Sequence, residues 1–188
     1  VLSLIAFPGV VVTSWLALPL LADASRLPVP LETLQIATAV QGAVLVFIAA
    51  VVGAVLAPKV GLAAPAISAV AKGDGVLAAL RPQLVPGLAG GCIGALVILA
   101  FYALAPEALT AVQPETPIPL VVRVLYGGIT EEVLIRWGLM SALAWAGWRA
   151  LAKSPQHPSS RVMWAAIALS ALVFGASHLP SVAQSLPV

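Results

Sequence analysis

Apolar positions fall into five runs: Val1 to Leu21, about Leu34 to Ala57, Leu84 to Leu104, Leu120 to Leu151 and about Val162 to Leu179. Short connectors between them collect most of the prolines and charges. The runs are close to or above the roughly 20 residues that a helix needs to cross a bilayer. The pattern predicts an all-α fold, a polytopic transmembrane helical bundle that forms one domain over residues 1–188 with about five spans. The first run is interrupted by Pro8 and Pro19 and lacks the basic flank and small-residue cleavage site of a signal peptide, so it reads as a genuine span.

Composition points the same way. Sixty-one per cent of the residues are hydrophobic, 9% are charged and the mean hydropathy is +1.08. A soluble domain carries about a quarter of its residues as Asp, Glu, Lys and Arg, so most of this surface faces lipid in a multi-pass protein of the cell membrane. A net charge of +2, with scattered basic residues, is too small to suggest a nucleic-acid partner, and none is expected. The single cysteine, Cys92, forms no disulfide framework and reads as a small buried hydrophobe.

The connectors suggest topology. Lys59, Lys72 and Arg81 follow the second run, and Arg149, Lys153 and Arg161 flank the connector after the fourth, whereas the first connector holds only Arg26. The positive-inside tendency then places the basic connectors and the N-terminus in the cytoplasm. The stretch Leu62 to Ala71 suits a short helix on the membrane surface. In the third run Gly87/Gly91 and Gly90/Gly94 are GxxxG pairs, which helix packing in lipid explains.

The fourth run carries the chemistry. Arg123, Glu131, Glu132 and Arg136 lie inside it, and a carboxylate within a membrane helix is expensive, about 2.5–3.5 kcal/mol for Asp on insertion scales. Glu132 and Arg136, at i and i+4, share a face and can pair. Glu131 is turned by roughly 100° from Glu132 and lacks that partner. Glu132 and Arg136 therefore read as structural support or as direct participants, and Glu131 as a general base balanced between desolvation and a neighbouring cation.

The fifth run ends in Phe174-Gly175-Ala176-Ser177-His178. Glu131 lies 22 residues before Lys153 and His178 lies 17 residues after Arg161, heights of roughly 33 and 25 Å at an α-helical rise. An antiparallel hairpin with frayed ends and tilt brings the two side chains to a similar level. Gly175 and Ala176, being small, would let the neighbouring helix approach. A Glu and a His meeting across two helices form a water-activating pair.

EExxxR followed on the next membrane helix by FxxxH resembles the first two motifs of the CPBP family, which includes type II CAAX prenyl endopeptidases and bacteriocin-processing or Abi-like proteins. Glu131, Glu132 and Arg136 match the first motif, Phe174 and His178 the second. The resemblance covers about 60 residues. It implies an intramembrane endopeptidase acting on a membrane-associated peptide or protein, with Glu131 and His178 catalytic and Glu132, Arg136 and Phe174 supporting. Members are commonly labelled metalloproteases, so a divalent metal such as zinc, if present, would be held by Glu131 and His178; a glutamate-only mechanism is the alternative. Where the family often has an aromatic residue before the Arg and Gly after it, this chain has Ile135 and Trp137-Gly138. The third motif, His followed four residues later by Asn or Asp, is absent, because His157 sits in a polar connector. A final catalytic helix is therefore expected to be missing, leaving these residues catalytically incomplete.

Other readings compete. The chain has no HExxH. Ser177 faintly resembles a rhomboid nucleophile, but a serine needs a base within reach, and His178 reads as directed elsewhere on the helix. The same ionisable residues would also suit a proton relay in a transporter, although no inverted repeat accompanies them. An inactive protease-like membrane protein is the third reading.

Overall fold

The computed structural model describes residues 1–21, 27–106, 117–151 and 157–185, with side chains to 179. Arg26 and Lys153, which contribute to the charge pattern, lie outside these residues. Among the described residues the chain is helical and contains no strand. We number the helices α1 (Leu2–Leu21), α2 (Leu31–Leu56), α3 (Pro65–Lys72), α4 (Val76–Leu104), α5 (residues 120–151) and α6 (Ser160–Ser185).

Four of the five expected spans are helices long and apolar enough to cross a bilayer: α1, α2, α4 and the Ser160–Leu179 part of α6. The architecture is an all-α membrane bundle. The fifth expected span, α5, is helical over the anticipated stretch, but its path is not uniform. It is α-helical at Leu120–Val122, π-helical at Arg123–Thr130 and Glu132–Met140, and α-helical again at Ser141–Leu151. A π-helix bonds i to i+5 and places more residues in each turn; such turns are rare and gather at functional sites.

Local chemistry sets the helix ends. Pro30 and Pro119 precede α2 and α5, and Pro65 occupies the first turn of α3. These are positions where a missing N–H costs nothing. Gly73 ends α3 with φ +74, a left-handed conformation that favours glycine. In α1 the π turn Thr13–Ala17 lies just before Pro19, whose ring conflicts with the carbonyl four residues back. Widening the turn accommodates that conflict.

Residues 2–63 and 116–179 form one compact unit. Its larger core joins Ala6 and Val10 of α1, Val46 and Ala50 of α2, and Val133 of α5. A second cluster joins Val60, Ala144 of α5 and Ala166 of α6, with Met140, Trp145, Trp148 and Met163 packed around it. Two close approaches hold α5 in place. A Cβ on Gly9 of α1 would collide with the Thr130 hydroxyl and the Leu125 carbonyl, and one on Gly138 would lie 2.6 Å from the Ala49 Cβ. The small residues expected to let α5 and α6 approach are Gly175 and Ala176; both are exposed, and a Cβ at Gly175 meets nothing within 4 Å. The buried contact instead lies more than two turns earlier, at Ala166.

Residues 64–115 belong to the other unit, in which α3 packs on α4. Cys92 is exposed on α4, not buried as its apolar run suggests. Within this unit nothing lies within 4 Å of a Cβ built at Gly87, Gly90, Gly91 or Gly94. An apolar sequence marks such a surface as lipid-compatible without requiring that protein cover it.

Candidate active site

The site forms where the π-helical middle of α5 passes the C-terminal half of α6. At the start of α5, Arg123 turns back so that its Nε donates to the Ile118 carbonyl at 3.0 Å, which keeps this cation at the helix entrance. Eight residues later Glu131 joins the two π-helical stretches, and its backbone N–H bonds to the Tyr126 carbonyl, five residues back. The buried Thr130 hydroxyl lies 2.7 Å from the Ala6 carbonyl of α1 and 3.1 Å from the Leu125 carbonyl, donating between them. This interhelical bond pins the residue that precedes Glu131.

Glu132 and Arg136 form the i, i+4 ion pair that their spacing suggests, with Arg136 Nε 2.8 Å from Glu132 Oε2. Both side chains are open to their surroundings, at 72% exposed for Arg136 and 47% for Glu132. Glu131 points away from this pair. Its Oε1 lies 4.0 Å from His178 Nε2 on α6, and its side chain is only 21% exposed. The level difference implied by purely α-helical heights is absorbed in part by the π turns of α5, which shorten the rise between Glu131 and the connector.

His178 is oriented by its own helix. Its Nδ1 lies 2.9 Å from the Phe174 carbonyl, and the Phe174 ring packs edge-on against the imidazole, with centroids 4.7 Å apart at 70°. A carbonyl only accepts, so Nδ1 carries the proton in this contact, and in the neutral imidazole Nε2 presents a lone pair on the Glu131 side. Ser177 corrects an expectation. Its Oγ lies 3.3 Å from His178 Nδ1, so the two neighbours do meet. The hydroxyl, however, donates to the Phe174 carbonyl at 2.7 Å. Both groups thus converge on one acceptor, and the protonated face of the imidazole is not placed to act as a base toward Ser177.

Glu131 and Phe174, the two residues that flank His178, line a cavity of about 460 Å³. Gly127, Glu132 and Arg136 contribute its polar end, and Ile135, Met140, Ile167 and Ala171 an apolar wall. A smaller cavity of about 290 Å³ lies on the other side of Glu132 and Arg136, bounded by Leu2, Leu62 and Trp137. Sequence reasoning missed Thr130, Gly127 and Tyr126, which carry no charge and stand out only once the helix path is known. A doubled glycine, Gly127-Gly128, beside a paired carboxylate is the one local signal that marks them.

Zinc takes three or four protein ligands. Among the described residues no group of three or more His, Cys, Asp or Glu side chains converges. Glu131 and His178 supply two donor groups to this site.

No curated protein and no solved structure shows a significant match to the chain. Residues 113–188, which include α5, α6 and all five motif residues, match the family model described as type II CAAX prenyl endopeptidase Rce1-like. Over this stretch, which is less than half of its length, the chain is similar to that family.

Proposed function

We propose that this protein is an intramembrane endopeptidase that cleaves a membrane-associated peptide or protein, with Glu131 and His178 holding and activating the attacking water. The 4.0 Å separation of Glu131 Oε1 and His178 Nε2 carries the reading. Two acceptors bridged by a single water, each about 2.8 Å from its oxygen, stand about 4.0–4.6 Å apart. A water in that position donates one hydrogen to each acceptor, and its lone pairs face the cavity where a peptide carbonyl would lie.

Glu131 takes a proton as the water oxygen bonds to the carbonyl carbon, giving a tetrahedral intermediate. When the C–N bond breaks, that proton passes to the departing amine, and the new carboxyl group leaves the site. His178 orients the water and stabilises the proton transfer, while Phe174 orients His178 through its carbonyl and ring. Arg136 neutralises Glu132, which leaves Glu131 as the carboxylate available for base work. No step here passes through a metal; were a divalent ion bound, Glu131 and His178 would be its donors from this chain.

Glu131→Gln in the full-length protein tests the assignment, because the amide keeps the shape and removes the base. Cleavage of a membrane peptide should fall by about 10²-fold or more, the range of a general-base contribution, with helicity retained. Undiminished cleavage by a folded variant would remove Glu131 from the mechanism. Proton or solute transport without proteolysis would replace the enzyme with a relay.

A further inference from the structure

A second polar feature lies within the same helical unit, away from the carboxylate cavity. Thr13, Ser14, Thr38, Gln41 and Tyr126 line a pocket of about 180 Å³ between α1, α2 and α5, with Val10, Gly42 and Leu45 completing it. Ser14 is fully buried, and the Ser14 Oγ and Thr13 Oγ1 atoms are buried with no hydrogen-bond partner among the described residues. Buried hydroxyls in native proteins are nearly always satisfied, by protein or by ordered water. The volume admits several waters, and the lining supplies the two to four polar partners each needs.

The backbone reinforces this. Two of the three helices that line the pocket are π-helical there, at Thr13–Ala17 in α1 and at Arg123–Thr130 in α5. Irregular turns within a membrane are tolerated where they line a water-filled cavity or are buried in protein. Tyr126 then connects the pocket to the carboxylate. It lies one π turn before Glu131, whose N–H bonds to its carbonyl. The Glu131 carboxylate has two faces: Oε1 turns to His178, and Oε2 turns back toward Gly127, 3.7 Å from where a Cβ there would sit.

We propose that this pocket is a hydration site, a binding site for ordered water that satisfies Thr13 and Ser14 and communicates with Glu131 through Tyr126. The coupling to Glu131 rests on the proteolytic reading above; the hydration itself does not. Hydrolysis consumes one water per bond cut, and a site with an apolar wall in lipid benefits from a polar store one turn away. Tyr126 acts in this arrangement as a positioning residue.

Millisecond X-ray pulses on the full-length protein in lipid nanodiscs, in water enriched in ¹⁸O, label side chains that touch bound water. Tyr126 and Leu45 should acquire ¹⁸O several-fold faster than Phe47, which is 61% exposed on α2 but outside the pocket. Ser14→Val, which fills the space, should suppress the Tyr126 label. Thr38→Val, which keeps the shape and removes a hydroxyl, should weaken it and serves if the first variant fails to fold. Labelling of Tyr126 no faster than Phe47, or unaffected by either substitution, overturns the hydration site.

For the coupling, Tyr126→Phe should lower kcat several-fold with KM unchanged and alter the solvent deuterium isotope effect. Unchanged kcat and isotope effect overturn it. Repeating the labelling on Glu131→Gln separates the two ideas: a Glu131→Gln variant that still cleaves defeats the proteolytic assignment, whereas the labelling pattern alone decides the hydration.

Discussion

The Phe174 carbonyl accepts from His178 Nδ1 at 2.9 Å, one turn along the same helix, and the Phe174 ring meets the imidazole edge-on. The two contacts have different origins. The carbonyl belongs to the backbone and survives any substitution of the side chain, whereas the ring contact does not. Phe174→Leu should therefore keep the imidazole hydrogen bond and lose the aromatic contact, worth about 0.5–1.5 kcal/mol. Cleavage should fall by about 2- to 10-fold, and Phe174→Ala should cost more because the cavity wall also opens. Rates for the two folded variants check this ordering.

Thr130 and Gly9 together fix α5 on α1. Thr130→Val removes the hydroxyl shared by the Ala6 and Leu125 carbonyls. Interhelical bonds of this type contribute about 0.6 and up to about 1.7 kcal/mol in membranes. Gly9→Val should be worse, because the added atoms collide with backbone at Leu125. Thermal unfolding in detergent ranks the two.

The Glu132–Arg136 pair is short but exposed on both sides. Exposed helix pairs contribute about 0.3–0.5 kcal/mol in water, so a double-mutant cycle of Glu132→Gln and Arg136→Met should show weak coupling in stability. The larger effect should be on cleavage, because losing Arg136 alone leaves two adjacent carboxylates without their cation. Restoring activity by adding Glu132→Gln to Arg136→Met would support that charge argument, and equal loss in both variants would refute it.

A two-donor set holds a divalent ion weakly by comparison with three or four ligands. Prolonged treatment with a chelator, followed by its removal, should leave cleavage unchanged. Loss of activity restored by zinc would require a further ligand beyond those described and would change the chemistry assigned to Glu131.

Helix identity was legible in the sequence because it depends on local terms. Long apolar runs form helices wherever lipid denies the backbone other partners, and α1, α2, α4 and α6 lie on the apolar runs, with α4 starting at Val76 rather than at Leu84. The Glu132–Arg136 pair was legible for the same reason, since spacing of four along one helix brings the groups together without help from elsewhere. The π turns of α5 were not, because widening a helix depends on what packs against it, here α1 at Gly9 and α2 at Gly138.

What the sequence determined by itself is therefore a set of apolar helices with two short polar motifs at known positions along them. Only the tertiary structure decided that Glu131 faces His178, and that Thr13, Ser14 and Tyr126 line one pocket. The reason is geometric: distances between helices are set by side-chain packing and helix phase. A single added residue per π turn rotates every later side chain, and no period read along the chain reports it.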